Sequence, residues 1–369
     1  MKACQYYLHD NYFHRIMTSP SSIKSITDLS MPALRSEIEN IGESSFRAKQ
    51  IIKWLYQERV NSFDDMNNLS KILRQKLAAS FTLEKLTAAA ILVSKNKDAV
   101  KFGFSLPDGT GIIESVLLIS DDRRTACVSS QFGCAMGCTF CATAKLGFIR
   151  NLTQAEILGQ VIGMNDYLAG QSDKLITNIV FMGMGEALSN FENFRSALDI
   201  IMAADGFGIG GRKITVSTVG IGPSIEKLIE ADLNIGLAIS LNAHTNELRS
   251  RYMPANNHYP IETLIASAER YFNKTGRRVT FEYVVIHGEN DTPEAIRILG
   301  RQFKELTCKF NIIPLNTGGL PLHNSPTIHQ VNEFANALER EGLAVTIRSS
   351  RGADIDGACG QLAGQYTNK

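Results

Sequence analysis

From residue 125 onward, short apolar runs alternate with amphipathic stretches of helical period. The runs 125–129, 177–181, 213–218, 236–241, 279–285 and 310–314 read as strands. Helical periodicity covers 153–168, 191–203, 223–231, 260–274, 292–305 and 328–341, and a last strand, 344–348, follows. Repeated βα units imply a parallel sheet with helices outside. Six units are too few for a closed eight-stranded barrel, so the expected fold is α/β, a partial, open (β/α)6 barrel.

Upstream the period changes. Leu34, Ile38 and Ile41 recur at helical spacing, with Ser30 placed to cap, Pro32 in the first turn and Gly42 as a stop. Second and third helices are expected over 46–59 and 70–80. Arg47, Lys49, Lys53 and Arg59 on the second helix form either an ordinary solvated face, the favoured reading, or a phosphate-contacting one. Two apolar runs, 100–106 and 111–119, flank Pro107-Asp108-Gly109-Thr110 and predict a β-hairpin. The expected division is a flexible leader (1–24), a helical accessory domain (25–90), a hairpin extension (91–120), the barrel (121–350) and a tail (351–369).

The chemistry gathers where the strands end, as it does in parallel barrels. After the first strand comes Cys134-Ala135-Met136-Gly137-Cys138-Thr139-Phe140-Cys141, three cysteines as C-x3-C-x2-C. Structural zinc takes four ligands, commonly in paired C-x2-C units, and this run does not have that form. Three thiolates on a four-iron cluster leave one iron open to a small molecule. Gly183-Met184-Gly185-Glu186 follows the second strand, Ser217-Thr218 closes the third, Ser240-Leu241-Asn242 the fourth, and Asn316 follows the sixth. Taken singly, each polar residue reads as a satisfied strand end, and the glycines as loop formers; their shared location raises them. Cys127 lies in the first strand, and Cys359 in a tail expected to be mobile and accessible because it is too glycine-rich for a buried helix. Cys4 and Cys308 read as incidental.

Composition changes this picture little. Net charge is +1, from 38 basic and 37 acidic residues, less basic than many nucleic-acid binders. Residues 1–90 carry 12 Lys and Arg against 9 Asp and Glu, a weak asymmetry. No apolar run approaches a membrane span, and the N-terminus lacks a signal-peptide layout. Seven cysteines, four of them close together, indicate a reducing compartment, read as the cytoplasm.

The C-x3-C-x2-C run with an aromatic before its last cysteine, Phe140, resembles the cluster signature of radical S-adenosylmethionine (SAM) enzymes. The tail, Arg351-Gly352-Ala353-Asp354-Ile355-Asp356-Gly357-Ala358-Cys359-Gly360-Gln361-Leu362, with Cys127 seven residues before the cluster run, resembles the RlmN/Cfr family of RNA adenosine methyltransferases. Further matches are Ser217-Thr218-Val219-Gly220, Ala238 to Ala243, Met253-Pro254 and Gly276 to Tyr283. The likeness runs from about Ser25 to the tail.

The resemblance implies a 4Fe-4S cluster on Cys134, Cys138 and Cys141, with two SAM per turnover. Gly185 and Glu186 would hold the SAM amino group, and Ser217, Ser240, Leu241, Asn242 and Asn316 would border the rest of SAM. Cys359 would accept a methyl group, Cys127 would resolve a covalent RNA adduct as a transient disulfide with it, and Glu114 would be the proton acceptor, against a reading as an edge-strand charge. Implied substrates are adenosine C2 in 23S rRNA and the tRNA adenosine 3′ of the anticodon, with an electron donor such as flavodoxin; a monomer is the default. Alternatives are C8 methylation of the Cfr type, or a non-methylating iron–sulfur protein for RNA binding or electron transfer. Three positions depart from the family pattern: Ala187, Leu315 and Thr317. Leu315 and Thr317 are expected to bear on RNA fit.

Overall fold

The computed structural model describes residues 24–172, 174–316, 324–348 and 350–363. The leader, Cys4 and Thr317 lie outside the described residues, except that the leader's last residue, Lys24, is described. A ten-stranded sheet organises the chain. Its strands are β1 (Thr87–Val93), β2 (Ala99–Ser105), β3 (Ile112–Ile119), β4 (Arg124–Cys127), β5 (Asn178–Phe181), β6 (Ile214–Thr218), β7 (Gly236–Ser240), β8 (Val279–Val285), β9 (Cys308–Pro314) and β10 (Val345–Ile347). Each strand lies beside its neighbour in sequence. From β4 to β10 all pairs are parallel, and from β1 to β4 all are antiparallel. The parallel part is the expected open barrel. β1 and β10 are the two edges of the sheet.

The expected hairpin is thus a three-stranded meander continuous with the barrel sheet. The first strand escapes sequence reading because Ala88-Ala89-Ala90 has low β-propensity and no alternation, and the strand is exposed almost throughout.

The helices are α1 (Met31–Asn40), α2 (Phe46–Lys53), α3 (Lys71–Ser80), α4 (Ala142–Lys145), α5 (Gln154–Ala169), α6 (Phe191–Met202), α7 (Gly222–Glu230), α8 (Asn246–Tyr252), α9 (Ile261–Thr275), α10 (Pro293–Phe303) and α11 (Ile328–Arg340). Hydroxyl caps start many of them. Thr153 with Glu156 and Thr327 with Gln330 form capping boxes, and Ser30, Ser70, Thr245 and Thr292 cap singly. The second helix is shorter than its pattern predicts. It passes at Trp54 into a π-turn and ends at Arg59 in the left-handed region, φ 53°.

Arg59 is engaged inside the protein. Its Nε pairs with Asp166 of α5 at 2.8 Å, and Lys85 joins the same carboxylate at 3.3 Å. Together with Gln57, whose amide donates to the carbonyls of Ala204 and Gly206, and Gln154, which donates to those of Thr27 and Leu29, these contacts seat the helical module against α5 and the end of α6.

Candidate active site

The three cysteines sit in the β4–α5 connection. A two-stranded ribbon, Gln131–Gly133 with Phe148–Asn151, brackets their loop. Thr139 N donates to Tyr252 O at 2.9 Å, tying the loop to α8. Met136, Cys138 and Phe140 pack on a second apolar cluster that includes Val219, Leu248, Met253 and Leu315. Helix and strand ends therefore clamp the loop from beneath.

Gly183 to Glu186 is laced to the exit of β4. Gly183 N donates to Val128 O, Met184 N to Ser129 Oγ and Glu186 N to Gln131 Oε1, at 3.1, 2.8 and 2.8 Å. Both glycines are required. A side chain at Gly183 would strike Ser129 and Val128, and Gly185 has φ 96° with Gln131 against it. Glu186 is 3% exposed. Its Oε2 accepts from Val219 N at 2.9 Å, while Oε1 is buried with no hydrogen-bond partner among the described residues. Burial pushes this carboxyl up to about 7, against the pull of the Val219 amide.

Two cavities meet here. The smaller, about 160 Å³, is lined by Cys134, Cys138, Gly185, Glu186, Ser217 and Ser240, among others including Asn242. The larger, about 590 Å³, reaches the surface past Arg123 and Arg351 and is lined within by Val116, Leu118, Cys127 and Arg348. Cys141, Gly183, Asn316 and Cys359 line both.

Most sequence-derived candidates are thus brought together, but two are not. Leu241 is fully buried and lines neither cavity; its carbonyl accepts from Arg249 Nε at 3.1 Å. Glu114 lines neither and is fully buried. It is not an edge-strand charge, because β3 is interior to the sheet. Asn242 lines the small cavity, yet its amide is engaged, accepting from Val284 N at 2.9 Å and donating to Met253 Sδ at 3.2 Å. The tail is anchored rather than loose. Ala142 N donates to Gly360 O at 2.8 Å and Thr143 Oγ1 to Leu362 O at 2.6 Å. Cys359 itself is half-buried. Leu315 is buried and lines only the small cavity, so its departure bears on the cysteine loop rather than on the open side.

Three further residues complete the centre. Glu282 of β8 faces Ser240 and Asn311 in register. A carboxylate inside Val-Thr-Phe-Glu-Tyr-Val-Val was the available signal, since an unpaired charge in a buried strand is rare. Arg348 Nη1 approaches Glu282 at 3.8 Å and Met182 Sδ at 3.3 Å. Cys359, Glu282 and Cys127 hold its guanidinium in the charged form. Burial, and next the Cys359 sulfur, push the Cys127 thiol up to about 12, with Arg348 opposing. Burial also raises the Cys359 thiol, again against Arg348. Arg249 is the third. It is fully buried, donates to the carbonyls of Val219, Ser240, Leu241 and Tyr259 and to Asn256 Oδ1, and so ties the ends of β6 and β7 together.

The donor set fits a cluster with an amino-acid ligand. No three Cys, His, Asp or Glu side chains among the described residues group as ligands of a single metal ion. A polynuclear cluster spreads its thiolates over several irons, and the orphaned Glu186 oxygen beside it suits an ammonium group.

An open parallel barrel with three thiols on the loop after its first parallel strand defines a radical SAM enzyme. Residues 128–298 match the radical SAM superfamily, and residues 24–83 match the ribosomal RNA large subunit methyltransferase N-terminal domain. The chain is 42% identical to the dual-specificity RNA methyltransferase RlmN of Desulfotalea psychrophila, over 93% of this chain and 96% of that protein. It is 41% identical to the protein of the same name from Marinobacter nauticus, over 92% and 93%. A radical SAM methyltransferase from Sphaerobacter thermophilus superposes with a TM-score of 0.87 at 40% identity, covering 92% of this chain and 99% of that one. The chain belongs to the RlmN family of radical SAM methyltransferases.

Proposed function

We propose that this enzyme methylates C2 of adenosine in 23S rRNA and in tRNA 3′ of the anticodon, with Cys359 as methyl carrier and Cys127 as resolving thiol. One observation carries the reading: Cys359 stands on the wall shared by the two cavities, Cys134 and Cys138 line only the small one, and Cys127 lines only the large one. A group on Cys359 can therefore face the chamber lined by Cys134, Cys138 and Glu186 on one side and a flipped-out base on the other.

Cys134, Cys138 and Cys141 would hold the 4Fe-4S cluster, with Glu186 receiving the SAM amino group and Ser217, Ser240 and Asn316 bordering SAM. Two SAM are used per turnover. Cys359 Sγ loses its proton and takes a methyl group from the first, forming S–CH3 as the sulfonium–methyl bond breaks. When bound at Cys134, Cys138 and Cys141, the cluster would supply the electron for reductive cleavage of the second SAM, the chemistry that would take a hydrogen atom from the methyl group on Cys359. The Cys359 methylene then bonds to adenine C2; the C2 proton leaves to a base, and the electron lost from the adduct would return to the cluster oxidised in cleaving SAM. Cys127 Sγ attacks Cys359 Sγ; the S–S bond forms, the S–CH2 bond breaks, and the carbon takes a proton to become the new methyl group. Arg348, beside both sulfurs, stabilises whichever is the thiolate. The seating of Glu114 does not favour it as the proton acceptor while the tail is in place.

The 25–90 module serves as the RNA-binding accessory unit, Arg123 and Arg351 meet phosphates at the cavity mouth, and a donor of the flavodoxin class supplies electrons to a cytoplasmic monomer. Among the described residues no helix is long and apolar enough to cross a membrane.

The test is nucleoside mass spectrometry after anaerobic reconstitution with iron, sulfide, SAM, a reductant and protein-free rRNA or tRNA. 2-Methyladenosine is expected from both RNAs. 8-Methyladenosine would move the enzyme to the C8 class, and neither product from a protein with an intact cluster would overturn the reading.

A further inference from the structure

Two charged side chains are buried in the meander where a sheet needs none. Lys101 on β2 is 3% exposed and Glu114 on β3 is fully buried. The register sets Lys101 opposite Val116 and Gly103 opposite Glu114, so the pair are diagonal neighbours on one face. Lys101 Nζ lies 3.3 Å from Glu114 Oε1. The same two side chains also reach the tail. Lys101 Nζ donates to Asp356 O at 3.4 Å, and Glu114 Oε2 accepts from Ala363 N at 2.9 Å. These anchors fall on either side of Cys359. Gly352 packs on the same face, since a side chain there would strike Ala99, two residues before Lys101.

A buried ion pair is a poor way to stabilise a sheet, because desolvation cancels much of its attraction. Its use here lies in what it holds. Ile355 and Leu362 give the tail two apolar anchors, but between them Gly357, Ala358 and Gly360 offer little apolar surface around Cys359. Backbone hydrogen bonds to buried charges add to those anchors, and charge-assisted bonds are the stronger kind. Glu114 also continues the row of Val116 and Leu118, the two β3 residues that line the large cavity. The tail is what occupies its carboxylate.

We propose that Lys101 is a positioning residue for methyl transfer: it holds Cys359 at the wall between the cavities, through Asp356 O directly and through Ala363 N by way of Glu114. The consequence for catalysis rests on Cys359 being the methyl carrier, but the positioning itself can be read on the thiol alone.

The experiment is anaerobic iodoacetamide labelling of the cluster-loaded enzyme, with the rate at each cysteine followed by peptide mass spectrometry. Cys308, buried at the start of β9, reports on global opening. Lys101→Met should raise the Cys359 rate about tenfold or more with Cys308 unchanged, as expected when one charge-assisted bond is lost from a local closing equilibrium. The double variant Lys101→Met/Glu114→Leu, which leaves no lone buried charge, should do the same and guards against a single variant that fails to fold. Turnover should fall through kcat, with KM for RNA unchanged. An unchanged Cys359 rate in both variants would overturn the proposal, as would parallel acceleration at Cys308, which would mean the pair supports the whole fold. If the enzyme proves not to carry its methyl group on Cys359, the labelling result still stands by itself. If methyl transfer is confirmed while labelling stays unchanged, only the positioning role falls.

Discussion

The active centre has two walls built on different principles. One is the row of parallel strand ends β5 to β9 with the cysteine loop, where each functional group is fixed by the βα unit that carries it. Glu186, Ser217, Ser240 and Asn316 all follow or close a strand of that row, and Arg249 binds two of those ends together through their carbonyls. The other is the antiparallel meander with the tail, where Cys359 rides on a glycine-rich segment held in part by a few polar contacts. On the proposed mechanism the first wall must present the same surface to SAM at every turnover. The second must, on that mechanism, let one sulfur meet SAM, a nucleobase and a second sulfur in succession, and the glycine-rich stretch around Cys359, between the apolar anchors Ile355 and Leu362, permits that.

Substitutions at the sulfurs probe the second wall and have the largest expected effect. Cys359→Ala should abolish RNA methylation, a loss of about a thousandfold or more, since the carrier is gone. Cys127→Ala should leave methyl transfer to Cys359 intact and accumulate a covalent protein–RNA species, visible as a shifted band on denaturing gels. Equal and complete inactivity of both, with no adduct from Cys127→Ala, would remove the division of labour between the sulfurs.

On the first wall, Gly185→Ala should cost about 2–3 kcal/mol of stability, because its φ of 96° and the nearby Gln131 leave a Cβ no room. Chemical denaturation of the cluster-free protein measures this. A change below about 0.5 kcal/mol would show the loop to be as adaptable as the tail.

Glu186 gives a pH signature. Its carboxyl titrates near 7 in the folded chain against 4.5 in the reference state. Between those values the folded chain binds more protons than the unfolded one, so this group lowers stability as pH rises from 4.5 through 7, by about 3 kcal/mol at most. In cluster-free protein, Glu186→Gln should therefore be more stable than the parent at pH 8, with the gain shrinking toward pH 5. With cluster and SAM present the order should reverse for SAM affinity, because the carboxylate then has its ammonium partner. A flat pH dependence of the difference would mean that the site is not strained toward its ligand.

What could be read in the sequence divides along the same line. Strand ends followed by glycine or a polar residue mark the first wall directly, since the βα period fixes where each apolar run stops. Lys101 and Glu114 could not be paired beforehand, because a diagonal contact depends on hairpin register, and 13 residues separate them. The anchoring of the tail was equally hidden. Glycine content signals freedom in an isolated segment, whereas here the partners come from elements more than 200 residues away. Arg348 sits at the end of a short edge strand, where an arginine ordinarily faces water.

The smallest expected effect concerns Leu315. Leu315 is one of the three departures from the family pattern, and the structure places it beneath the cysteine loop, in the apolar cluster with Met136, Cys138 and Phe140. Leu315→Phe adds volume to a well-packed site, at a cost of about 1 kcal/mol unless Met136 or Met253 gives way, and methionine yields readily. Because Leu315 lines only the small cavity, the change should shift SAM affinity by a fewfold and leave KM for RNA unmoved. Steady-state kinetics with SAM and RNA varied separately would decide it. A change confined to RNA would mean that the boundary between the two walls lies on the other side of β9.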